Sequence, residues 1–238
     1  PTNSHKALEA AAKNDAATRQ KSFNATLQYL EDIQQLDTVR TLYSQQITGL
    51  AQVAELLDAA TTDSERVRAT ATQWRRYQHA TEQFSESLVQ WRENFSELRD
   101  LPLQQLLPGM RAFTRELERR LQVITGMMED SASPKDCADT DLAIDENALS
   151  ALSHFHRAAL VLSKRHMEQL DTLSQTMFSS SKAICGFSDA PDIASAPSVQ
   201  RKAWVPDPDR LLAAGKIMAV MWLAFLAARR IAADGLAA

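Results

Sequence analysis

Apolar residues recur every three or four positions along most of the chain, and no window keeps a period of two. That spacing lines one stripe of an α-helix, whereas a half-buried strand needs strict alternation. The first stripe predicts a long helix from about Arg19 to Ala60, carried by Phe23, Leu27, Leu30, Ile33, Leu36, Val39, Tyr43, Ile47, Leu50, Val53 and Leu57. Thr61, Thr62, Asp63 and Ser64 interrupt it, and all are residue types whose side chains cap a new helix start. The second helix is expected from about Ser64 to Arg99. Val67, Trp74, Tyr77, Phe84, Leu88, Trp91, Phe95 and Leu98 share one face, and Arg75, Arg76, Glu82 and Glu86 lie opposite. Aromatic rings at this spacing read as a core seam before a ligand-stacking surface.

Pro102 and Pro108 bracket a bend, since proline lacks an N–H and disfavours helix in the residue before it. A third helix is expected from about Pro108 to Glu129. Met110, Phe113, Leu117, Leu121, Ile124 and Met128 face inward, and the run "RELERR" at 115–120 is read as its solvated face. Residues 130–143, rich in Asp, Ser and Ala, read as a loop. A fourth helix follows from about Asp145, a plausible N-cap, to Ala183, with Leu149, Leu152, Leu160, Met167, Leu170, Leu173 and Met177 along its stripe. Gly186, Pro191, Pro197 and Pro206 then forbid a continuous helix.

Composition supports this reading. Only 6 glycines occur in 238 residues, and Ala, Leu, Gln, Glu and Arg, which lose little freedom in a helix, are abundant. The net charge of -4 argues against nucleic acid as a partner, because that function carries a basic footprint. Two cysteines, Cys137 and Cys185, make no disulfide framework and no zinc pair, which favours reduced thiols in a cytosolic setting. The first residues contain no apolar signal sequence. The missing initiator Met suggests a fragment of a longer protein.

Candidate chemistry is sparse. Asp136, Asp139, Asp141 and Asp145 cluster, yet they lack the Gly and terminal Glu of a calcium loop. His154 and His156 stand two apart on a helix and point in different directions, and His166 is nearly three turns further on. Zinc needs rings three or four positions apart, so no metal site is expected here. No phosphate-binding loop, dinucleotide fingerprint, nucleophile elbow or metalloprotease motif occurs. The expectation is a non-enzymatic helical scaffold with no cofactor and no catalytic or metal-binding residues.

The end of the chain changes character. "LLAAGKIMAVMWLAFLAA", residues 211–228, carries one charge, Lys216, and its apolar residues wrap all round the helix. Its length is at the lower limit for crossing a bilayer, and a helix apolar on every side is buried in a core or in lipid. The stretch "WVPDPDRLLAAGKIMAVMWLAFL" from Trp204 resembles the junction into the second membrane half of the fusaric acid resistance family, the aromatic acid exporters. In that family a helical soluble domain lies between two sets of membrane helices. The resemblance implies an inner-membrane efflux transporter of bacteria, exporting aromatic carboxylic acids beside a periplasmic adaptor and an outer-membrane channel. The bundle would then be mainly cytoplasmic and act in assembly or gating. The chain departs from the family pattern after Leu226, where "AARRIAADGLAA" replaces a continued apolar run, so the span reads as cut short. The competing reading is a coiled-coil interaction or signalling module with a C-terminal membrane anchor.

The expected architecture is all-α. About four long helices, some reaching ~60 Å, form an elongated antiparallel bundle over residues 1–184 that also associates with a second copy of itself. A proline-rich linker occupies 185–208, and an apolar helix resembling a truncated membrane span occupies 209–238.

Overall fold

In the computed structural model every regular element is helical, with no strand among the described residues. These are residues 2–31, 36–99, 101–129 and 152–187, with 134, 137, 138, 140, 142–145, 149 and 150 between them. The chain divides into two units, Pro1–Pro191 and Asp192–Ala238, and the second lies outside the described residues. The apolar run at 211–228 and most of the expected linker therefore lie outside them too. No described helix is long and apolar enough to cross a membrane.

The helices are α1 (Thr2–Glu31), α2 (Leu36–Asp63), α3 (Glu65–Ala69), α4 (Ala71–Phe95), α5 (Leu103–Leu106), α6 (Met110–Met128) and α7 (His154–Ile184). A 3-10 turn at Ser96–Leu98 extends α4. Side-chain pairs fix the directions. Ser4 touches Asp63, and a Cβ on Gly49 would meet Asp15, so α1 and α2 form an antiparallel hairpin. Arg19 and Phe23 meet Tyr77 and Phe84, which makes α1 and α4 parallel. Trp91 pairs with Ser163 and Thr81 with Met177, so α7 runs back along α4. Arg120 reaches Asp171 and Cys185 reaches Met127, so α6 and α7 point the same way. Because they are parallel, their connection must return along the bundle. Ala138 lies beside Glu116 and Arg120, and the Asp145 N–H donates to the Leu106 carbonyl, which marks that return path.

One expectation is corrected here. The single helix from Arg19 to Ala60 is two antiparallel helices, and residues 2–18 are helical as well. Residues 32–35, between them, lie outside the described set. Among the described residues five helices have 19 residues or more, where about four were expected, and the longest has 31 residues, about 46 Å, rather than ~60 Å. The physical reason lies in the seam of α1. Leu8, Ala12, Ala16 and Phe23 are buried, but so are Asp15, Arg19, Ser22 and Thr26. A seam half made of small and polar residues gives no hydrophobic period to detect. On α2 the buried place is taken by Gln46, and Ile47, expected in the core, is 46% exposed.

The seam of the second helix agrees with expectation, whereas the start of the fourth helix does not. All eight apolar residues assigned to the second helix, from Val67 to Leu98, are buried. Ser64 caps α3 by accepting the Val67 N–H, and Thr70 separates α3 from α4 by a turn. The cap of α7 is Ser153, whose hydroxyl accepts the His156 N–H, not Asp145. Asp145 instead closes a separate turn through its carbonyl to Leu149. The C-terminus of α7 is a left-handed stop: Gly186 has φ +76°, the Phe187 N–H returns to Lys182 and the Gly186 N–H to Ala183. Only glycine adopts that conformation at little cost, which is why α7 stops where it does.

Candidate functional site

Two buried ionic clusters and two cavities stand out within the bundle. The first cluster joins α1 to α4. Arg19 and Asp15 are each 1% exposed, and one guanidinium nitrogen donates to the Asp15 carboxylate. The other donates to the Tyr77 hydroxyl at 2.9 Å. Burial pushes the Asp15 carboxyl above the ordinary range, and Arg19 opposes the shift. Burial alone would lower Arg19, but Asp15 and Tyr77 outweigh it and hold the guanidinium above its usual value. Close by on the α2 side, the Gln46 amide donates to Ser85 at 2.6 Å, and Ser85 donates to the Thr81 carbonyl. Each of these groups is buried, so each specifies its neighbour: sliding one helix would strand a polar group in the core.

The second cluster joins α6, α7 and the returning connection. It overturns the reading of "RELERR" as wholly solvated, because Arg120 is fully buried and the Glu116 side chain is 11% exposed. Arg120 donates to Asp171 at 2.9 Å, to Ser174 at 2.6 Å and to the Ala138 carbonyl at 3.2 Å. Glu116 takes two hydrogen bonds from Arg119 and one from the Ala138 N–H. The Arg119 bonds are the main reason its carboxyl is held below the usual carboxylate value. Residue 138 is thus clasped through both its N–H and its carbonyl. Sequence reasoning missed the site because its charges look like an ordinary surface run. The one signal was that Arg120 and Leu117 are three apart, on the same face as Leu121 and Ile124.

The first cavity, about 210 Å³, is walled by Val67, Trp74, Met127 and Ile184, with the His5–Glu9 pair and Arg66 at its edge. The second, about 460 Å³, lies at the opposite end, where the C-terminal turns of α1 and α4 meet α5 and the start of α6. Leu27, Leu30, Phe95, Leu107 and Met110 supply its apolar wall, and Gln104, Arg111 and Thr114 its polar side. The α6 N-cap position is Gly109, and no side chain caps the helix there.

The residues weighed earlier as metal ligands do not converge. His154 is exposed, His156 and His166 are half-buried, and burial together with Arg165 lowers the His166 ring. Asp136, Asp139 and Asp141 lie outside the described residues, and Asp145 is exposed. Among the described residues no three His, Cys, Asp or Glu side chains come together as metal ligands would. Cys137 and Cys185 are not joined in a disulfide, each is half-buried, and burial pushes the Cys137 thiol up. Trp74, Phe84, Trp91 and Phe95 are core residues, with Trp91 donating its indole N–H to Ser163 at 3.1 Å.

Comparison with family models, with curated proteins and with solved structures found no match. Among the described residues the chain is all-α, with antiparallel and parallel helix pairs and buried charged groups between them.

Proposed function

We propose that this chain is the helical domain of an inner-membrane efflux transporter of the fusaric acid resistance type, acting in assembly or gating. The reading is supported by order along the chain. A bundle closes at Gly186, and the most apolar run in the sequence, 211–228, follows a proline-containing stretch. The helix leading toward that run is α7, a 31-residue rod tied to α4 by Trp91–Ser163 and by the Asn94 amide on the Ala159 carbonyl at 2.9 Å. A displacement of the segment after Gly186 would act first on this rod, and through it on α4 and α6. That is a mechanical route suited to gating.

Two measurements test the reading. The chain produced in bacteria should stay with the membrane after alkaline carbonate washing, and deletion of residues 209–226 should release it. Disruption of the gene in its host should raise the accumulation of aromatic carboxylic acids such as 4-hydroxybenzoate. Carbonate release of the intact chain would overturn the membrane assignment. Membrane retention with unchanged accumulation would favour the second reading, an anchored interaction or signalling module. That reading draws on α7, whose outer face exposes Phe155 at 62%, Val161 at 51% and Leu162 at 44%.

A further inference from the structure

We propose that the larger cavity binds a free aliphatic carboxylate of medium chain length, with the tail between α1, α4 and α5 and the carboxylate at Arg111. The site does not depend on the exporter reading. Its volume of about 460 Å³ falls within the range of small-molecule sites, which are apolar chambers with a few convergent polar groups. The apolar wall comes from three separate stretches of chain: Leu27 and Leu30 near the end of α1, Phe95 at the end of α4, and Leu107 and Met110 flanking Pro108. Phe95 and Leu107 are 6% and 1% exposed, so the chamber floor is part of the main core.

The polar side is biased toward an anion. Arg111 lines the cavity, is exposed at its mouth and makes no ion pair among the described residues. It sits in the first turn of α6, where the helix dipole is positive, and the backbone N–H groups of that turn receive no side-chain cap. Gln104 and Thr114 add neutral hydrogen-bonding groups, and among the described residues no Asp or Glu lines the chamber. The smaller cavity differs in that a carboxylate, Glu9, lines it beside His5 and Arg66. The shape favours an aliphatic tail over an aromatic one. Among the described lining residues, four leucines and a methionine present branched or flexible surfaces, and a single ring, Phe95, offers no parallel slot for a planar ligand.

The test is calorimetric titration of decanoate into the full chain, with decanol and 2-naphthoate as comparators and Arg111→Gln as the variant. Arg111 is exposed, so the variant should fold, which circular dichroism checks. Decanoate is expected to bind with one site. Arg111→Gln should weaken it about tenfold or more, decanol should bind the wild type no better than decanoate binds the variant, and 2-naphthoate should bind more weakly than decanoate. Spin-labelled decanoate should broaden the Met110 methyl resonance and leave that of Met167, in the middle of α7, unaffected. No decanoate binding, equal binding by the variant, or equal broadening of both methyls would overturn the site. Tighter binding of 2-naphthoate would overturn the aliphatic assignment.

Discussion

Arg19 of α1 donates to the Tyr77 hydroxyl of α4 at 2.9 Å, across 58 positions of sequence, while its other arm holds Asp15 one turn away. The three groups are each 1% exposed, so the link is a fully desolvated one. Removing one member should cost far more than removing all. Asp15→Ala leaves a buried cation and is expected to lower unfolding stability by about 3–5 kcal/mol. Tyr77→Phe leaves one guanidinium arm without an acceptor and should cost about 1–3 kcal/mol. The triple replacement Asp15→Leu, Arg19→Met and Tyr77→Phe should cost less than Asp15→Ala alone. Urea unfolding followed by circular dichroism gives each value.

Gly49 packs against the same cluster. A Cβ there would stand 3.3 Å from Asp15 Oδ1, and Asp15 cannot retreat while Arg19 holds it. In an open helix, Gly→Ala gains about 1 kcal/mol. Here Gly49→Ala is expected to destabilise the wild type and to stabilise the Asp15→Ala background. The sign reversal in a double-mutant cycle is the observable, and equal effects in both backgrounds would refute the contact.

Acid should loosen the clasp on residue 138. The folded protein holds the Glu116 carboxyl below its ordinary value, chiefly through Arg119. A depressed carboxylate contributes stability above its unfolded value and loses it as pH falls through the folded one. Between about pH 6 and about pH 3 the wild type should lose more stability than Glu116→Gln, which has no charge to lose there. Parallel urea midpoints for the two proteins over that range check the sign.

Gly186 ends α7 with φ +76°. Gly186→Ala places a side chain in a left-handed conformation and should cost about 1 kcal/mol, felt locally. Amide exchange should quicken over the last turn, Ser181–Ile184, and stay unchanged at Met167. If the proposed link from this end to a membrane segment holds, the same variant should also alter export without detaching the chain from the membrane.

The helical class, the seam of the second helix and the caps at Ser64 were legible because they rest on local rules. A period of three to four among large apolar residues puts them on one face whatever lies opposite, and a serine before an acidic turn satisfies orphan N–H groups wherever it occurs. The candidate sites were not legible. Arg120 in "RELERR" and Asp15 with Arg19 have the composition of a surface, and Ala12, Ala16 and Gly49 look neutral in any helix. What buries them is the approach of other helices.

By itself, then, the sequence determined that the chain is helical, where most of its large apolar residues point, and that its character changes at residue 204. Only the tertiary structure decided that α1 and α2 fold back on each other, that α6 and α7 run parallel, and which charges lie inside. The reason is that hydrophobic periodicity registers one helix at a time. A buried ion pair is defined by what several helices jointly exclude, which is water.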